Sequence, residues 1–125
     1  VRMEDGMTEY QHQRTVMEWS CYASNRIRYP GLDLLYHIPN EIKCNAEQGK
    51  QRKDIGVKSG VPDLCLPVAR GQYHGLYIEM KAERGRVSEN QKTWLKRLTE
   101  QGYLAKVCYG FDEAIRCIKE YYDER

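Results

Sequence analysis

The 125-residue sequence has no apolar run near the roughly 18 residues that a membrane-spanning helix needs, so no membrane association is expected. Its opening, Val1-Arg2-Met3-Glu4, has no apolar signal core. No two of its five cysteines stand as C-x-x-C, and His12, His37 and His74 are scattered, which leaves a zinc clip little support. An odd cysteine count, with Cys65 and Cys108 inside apolar strand-like runs, reads as buried, reduced thiols. The expected location is therefore cytoplasmic. An excess of one charge sign is also missing. Lys plus Arg number 20 against 18 for Asp plus Glu, so the global balance does not argue for a polyanionic partner. There is no glycine-rich cofactor loop, internal repeat, low-complexity stretch or linker. No organic cofactor is expected, and residues 1–125 read as one domain.

What is present is enough apolar residue for a core, 41%, and 30% charged residue, above the roughly 25% of an average globular domain. Charge is locally uneven. From Lys43 to Lys58, the cations Lys43, Lys50, Arg52, Lys53 and Lys58 face only Glu47 and Asp54. That stretch suits phosphate contact, and it equally suits a solvated surface segment.

Thr8-x-x-Gln11 has the form of a capping box, and the periodicity predicts a helix to about Ser24. Glu9 and Gln13 extend its apolar face toward the N-terminal end. Tyr29-Pro30-Gly31 breaks the chain, and Leu34–Ile38 reads as a strand closed by Pro39-Asn40. The basic stretch reads as a weak helix interrupted at Gly49. Two strands follow, Asp63–Val68 and Gly75–Lys81, joined too tightly for a parallel crossover, so they form an antiparallel hairpin. Ser88-x-x-Gln91 opens a helix with Trp94, Leu95 and Leu98 on its buried stripe. Tyr103–Tyr109 is a strand, and Phe111, Ala114, Ile115, Ile118 and Tyr122 mark the apolar stripe of a last helix. The order is αβββαβα, and the fold class is α/β: a mixed four-stranded sheet flanked by helices.

A hairpin loop centred near Gln72 sets Asp63 opposite Lys81. Glu79 and Lys81, two apart on a strand, share one face, and Asp63 falls on that face too. Two carboxylates and an ammonium then meet at one hairpin end. Close carboxylates repel, and a hard divalent cation between them removes the conflict. With such an ion, the group suits metal-assisted phosphodiester hydrolysis. The same spacing also fits turn chemistry at Pro62-Asp63 and an ordinary strand salt bridge in Glu79-Met80-Lys81.

The flanking residues carry a resemblance. Gly60-Val61-Pro62-Asp63-Leu64 followed by Tyr77-Ile78-Glu79-Met80-Lys81 resembles the PD-(D/E)XK nuclease signature, and more narrowly the VRR-NUC family of virus-type replication-repair nucleases. Glu9 and Gln13 match that family's Glu-x-x-x-Gln helix, Ile38-Pro39-Asn40 its Ile-Pro-Asn turn, and Ser88 and Gln91 its Ser-x-x-Gln helix. One departure is Glu41, where family members often have Gly. The resemblance spans about Thr8 to Tyr122 and implies a restriction-endonuclease-like core.

It further implies that Asp63 and Glu79 bind Mg²⁺ or Mn²⁺ with the Met80 carbonyl, and that Lys81 is the catalytic lysine. Glu9 would be a first-helix acid at the metal, and Gln91 would line the site. The alternative for Gln91 is its capping box, and for Glu9 a favourable place at a helix N-terminus. Arg70, Arg84 and Arg86, on loops near the acids, join Lys50, Arg52, Lys53 and Lys58 as expected DNA contacts. Tyr73, Tyr103 and Tyr109 read as packing residues more readily than as base-stacking ones.

The expected function is a metal-dependent endonuclease acting on DNA, with branched or Holliday-junction-like substrates and a homodimer suggested by the resemblance. Its rivals are a non-catalytic structure-specific DNA-binding module on the same fold, an RNA-cutting or site-specific nuclease, and a small-molecule acid–base enzyme.

Overall fold

The computed structural model describes residues 6–40 and 45–124. Lys43, Cys44 and Glu41, and with them part of the basic stretch and of the turn after Asn40, lie outside the described residues.

Helix α1 (Glu9–Cys21) opens on the expected capping box: the Thr8 hydroxyl accepts from the Gln11 amide, and the Gln11 side chain accepts from the Thr8 amide. It ends before Ser24. Asn25 Nδ2 donates to the Trp19 carbonyl and Arg26 Nε to the Ser20 carbonyl, satisfying groups that a longer helix would use. Tyr22 is extended, and a separate α2 (Ala23–Arg28) follows. The expected strand at Leu34–Ile38 is shorter and preceded by a 3₁₀ turn (Leu32–Leu34), with β1 only Tyr36–His37. The cause is packing: the turn lets both Leu32 and Leu35 reach the core, three residues apart, where an extended chain would separate them.

Helix α3 (Ala46–Asp54) runs through Gly49 without interruption. A glycine inside a helix costs about 1 kcal/mol, and a full capping box between Asn45 and Gln48 offsets it. No residue of α3 is buried, and apart from the half-buried Gly49 and Arg52 its residues are exposed.

The remaining elements are β2 (Leu64–Leu66), β3 (Leu76–Lys81), α4 (Glu89–Glu100), β4 (Leu104–Tyr109) and α5 (Phe111–Tyr122). The four strands form one sheet in the order β1-β2-β3-β4, antiparallel across the first two junctions and parallel across β3/β4. This is the mixed four-stranded α/β sheet flanked by helices that the sequence predicts. Strands β2 and β3 are central, and nearly every residue on them is buried. Val16, Leu32, Leu64, Leu66, Leu76, Ile78, Ala114 and Ile118 make the heart of the core. Among the described residues, no helix is long and apolar enough to cross a membrane.

Two further expectations are corrected. Trp94, Leu95 and Leu98 are only half-buried; the one wholly buried side chain of α4 is Gln91. The hairpin register also differs by two residues. Leu64 pairs with Ile78 and Leu66 with Leu76, so the ladder continued one step outward sets Asp63 beside Glu79, not Lys81. The first arm carries an extra residue: Pro67-Val68-Ala69 lies opposite His74-Gly75, between the Leu66–Leu76 pair and the Arg70–Tyr73 bridge. Pro67 has no amide to give the ladder, which suits it to this bulge. Because the shift is even, every side chain keeps its face.

Candidate active site

Glu79 and Lys81 lie on the central strand β3, and this is why both are buried, at 1% and 7% exposure. Their charged ends are 3.6 Å apart. A buried ion pair of this kind is costly to break from one side, since the partner left behind is desolvated and uncompensated. Gly85 makes the room: a Cβ there would stand 3.0 Å from Lys81 Cδ and 3.2 Å from its Cβ. The Lys81 carbonyl accepts from Gly110, tying the end of β3 to the start of α5.

Asp63 comes from the loop that enters β2. Its carboxylate accepts from the Met80 amide at 2.7 Å, and its carbonyl accepts from Ile38 at 2.7 Å. The loop is held on both sides. Asn40 Nδ2 donates to the carbonyls of Lys58 and Val61 at 3.1 and 2.9 Å, which gives the Ile38-Pro39-Asn40 turn its structural meaning. Gly60 has φ +92°, and a Cβ there would lie 2.7 Å from the Asn90 backbone carbon. Only glycine lets this loop rest on the first turn of α4.

Helix α1 brings Glu9. Oxygens of Glu9, Asp63 and Glu79 all lie within 4.8 Å of one another. One turn along α1, Gln13 Nε2 is 2.9 Å from His37 Nδ1, and that nitrogen is 2.9 Å from the Asp63 carbonyl. It accepts from Gln13 when bare and donates to Asp63 when protonated. Either way, α1, β1 and the Asp63 loop meet at one ring. No spacing in the sequence singles out His37; its only signal is adjacency to Ile38-Pro39-Asn40.

Gln91 does both things that the sequence leaves as alternatives. Its Oε1 accepts from the Ser88 amide at 2.8 Å in the capping box, and its Nε2 donates to Glu79 Oε2 at 3.2 Å. A carboxamide has separate donor and acceptor ends, so the two roles do not compete.

The expected basic residues divide. Arg84 and Arg86 are exposed on the loop after Lys81. Lys50 and Lys53 are exposed and Arg52 half-buried on α3; Lys50 pairs with Asp54 at 3.6 Å, and Lys58 is exposed before Gly60. Arg70 is elsewhere. It sits at the hairpin tip, beyond the opposite end of β2 from Asp63. There its Nη2 donates to the Tyr122 carbonyl, and its guanidinium lies 5.4 Å over the Tyr122 ring. Tyr73 and Tyr103 pack on Tyr121 and Tyr77, with ring centroids 6.2 and 5.2 Å apart, while Tyr109 is 42% exposed. Of the cysteines described, Cys65 and Cys108 are buried as expected, Cys117 is half-buried and Cys21 exposed, all as free thiols.

The donor set fits a hard divalent cation. Among the described residues, three carboxylates crowd one space, the Lys81 ammonium stands beside Glu79, and the carboxylates offer oxygen ligands. Gathered like charges of this kind are favourable only with compensating positive charge.

The VRR-NUC domain profile matches residues 7–112. A solved structure described as a VRR_NUC domain protein is 35% identical, with a TM-score of 0.78 over 95% of this chain and 91% of that one. No curated protein matches. With the acidic cluster on the sheet and helix frame in which those relatives share, the chain belongs to the VRR-NUC family: it is a nuclease-type, DNA-processing domain.

Proposed function

We propose that this domain is an Mg²⁺- or Mn²⁺-dependent endonuclease that hydrolyses DNA phosphodiester bonds, selecting branched or junction DNA by shape. The observation that carries the reading is the convergence of Glu9, Asp63 and Glu79 oxygens within 4.8 Å, with Lys81 Nζ 3.6 Å from Glu79. The three carboxylates and the Met80 carbonyl would hold the ion. When bound, it would lower the pKa of a coordinated water and polarise a phosphate oxygen. The Lys81 ammonium orients the attacking oxygen and neutralises charge gathering on the phosphate. Gln91 fixes the rotamer of Glu79, and Met80 N–H that of Asp63.

DNA contact is assigned to α3 and the neighbouring loops. A helix with no apolar face, carrying Lys50, Arg52 and Lys53, suits a polyanion, and Lys58, Arg84 and Arg86 extend the same chemistry. No reading-helix motif supports base recognition, so substrate choice falls to shape. Cutting two strands calls for two sites, which favours a homodimer; the exposed Tyr22, Ile27 and Leu34 offer apolar surface for a second copy. Residues 1–125 act as one domain in a cytoplasmic setting.

The test is cleavage of labelled four-way, flap and linear DNA with Mg²⁺, Mn²⁺ or EDTA. Metal-dependent nicks on branched DNA are expected. Glu79→Gln and Lys81→Ala should each lower the rate at least ~100-fold while DNA binding persists. Binding with no nick in any metal would replace the enzyme by the non-catalytic DNA-binding module.

A further inference from the structure

Remote from the acidic cluster, Arg28, Arg70 and Lys119 line a cavity of about 520 Å³ with Tyr29, Tyr122 and Asp123. The cations come from three separate places: the end of α2, the hairpin tip and the last turn of α5. Two lie over rings, Arg28 at 5.7 Å from the Tyr29 centroid and Arg70 at 5.4 Å from that of Tyr122. The rings are themselves fixed. Tyr29 and Tyr122 are buried, their centroids are 5.2 Å apart, and the Tyr122 hydroxyl donates to the Pro30 carbonyl at 2.9 Å. Among the described residues, none of the three cations is paired with a carboxylate, and Asp123 is the one acid on the lining. Arg70 Nε is buried without a hydrogen-bond acceptor.

We infer that this basin is a second anion site, built to take the phosphate group of a nucleotide or of a nucleic-acid strand. Three cations around one space exceed what a single carboxylate needs, and they match a tetrahedral group with several acceptor oxygens. Arg70, tied to the Tyr122 carbonyl and resting over its ring, loses little freedom on binding, so that part of the site is organised in advance. The buried, unsatisfied Nε of Arg70 gains from negative charge near its guanidinium. Such a basin extends what the domain contacts. Arg70 follows Asp63 by seven steps along the chain, a reach of at most ~25 Å, so one duplex is long enough to meet both ends. The inference does not rest on cleavage at the acidic cluster.

The test uses the full chain and the double variant Arg28→Gln/Lys119→Gln, both exposed positions whose loss leaves the core intact. Inorganic phosphate and 5′-dAMP are titrated by NMR, and affinity for a labelled duplex in EDTA is measured across a salt series. The wild type should show saturable phosphate binding, weakened at least tenfold in the variant. If the source is a strand, duplex affinity falls too, and the salt slope becomes shallower by up to about 0.9, the value for one phosphate contact. If the source is a free nucleotide, only the phosphate and dAMP titrations change. Unchanged titrations together with an unchanged slope overturn the inference. Cleavage is read separately, since an inactive wild type would defeat the proposed reaction and leave the phosphate titration intact.

Discussion

Gln91 Nε2 donates to Glu79 Oε2 at 3.2 Å while Gln91 Oε1 closes the first turn of α4 on Ser88. One buried side chain thus couples a helix start to a strand carboxylate. The two functions are separable. Ser88→Ala removes the cap alone and should cost about 1 kcal/mol of stability with cleavage nearly unchanged. Gln91→Ala should cost at least as much and also lower activity, because Glu79 loses its orienting donor. Urea denaturation beside single-turnover cleavage separates them. Equal activity loss in both variants would show that Gln91 acts only through the helix.

Gly60 predicts a larger effect. Alanine there meets a left-handed φ and a backbone atom at 2.7 Å, neither of which a rotamer change relieves. Gly60→Ala should destabilise the fold by about 2–4 kcal/mol, seen as a lower denaturation midpoint. It should also weaken Mn²⁺ binding, since the loop it bends delivers Asp63.

His12 supports the fold from α1. It is 3% exposed, and its Nδ1 accepts from the Phe111 amide at 3.0 Å, capping α5 where Gly110 has no side chain to offer. The proton is therefore on Nε2. His12→Ala should cost about 2–3 kcal/mol, from a lost buried acceptor and a cavity. His12→Asn, which keeps an acceptor, should recover part of it. Calorimetric midpoints would check the order, and identical losses would remove the capping role.

Alkali should destabilise the domain through its buried tyrosines. Burial pushes the Tyr122 phenol up to about 12, against the pull of Arg70, and burial does the same to Tyr77 beside Cys65. The folded state then holds protons that the unfolded chain releases near pH 10. Stability is full below about pH 10 and falls as pH rises toward 12. Tyr122→Phe should flatten that fall, while losing the bond to Pro30 at about 1 kcal/mol near neutrality. Urea midpoints from pH 8 to 11.5 measure both.

Much of the frame was legible before folding. Thr8/Gln11 and Ser88/Gln91 are local contacts three residues apart, so their capping boxes follow from sequence alone. The period-two spacing of Glu79 and Lys81 assigns them one face whatever the register. What failed was set by contacts distant in sequence. The end of α1 depends on Asn25 and Arg26 reaching back, the 3₁₀ turn on burial of both Leu32 and Leu35, and the hairpin register on a bulge at Pro67.

By itself, then, the sequence determined the residue types, their faces and the order of the elements, because helical and strand periodicities act over a few residues. The tertiary structure alone decided that Glu9 joins Asp63 and Glu79, that Gln91 serves a cap and a carboxylate together, and that Arg70 turns to Tyr122 and away from the acids. Those outcomes depend on where strands and helices separated by tens of residues come to rest, and packing of the common core sets those positions.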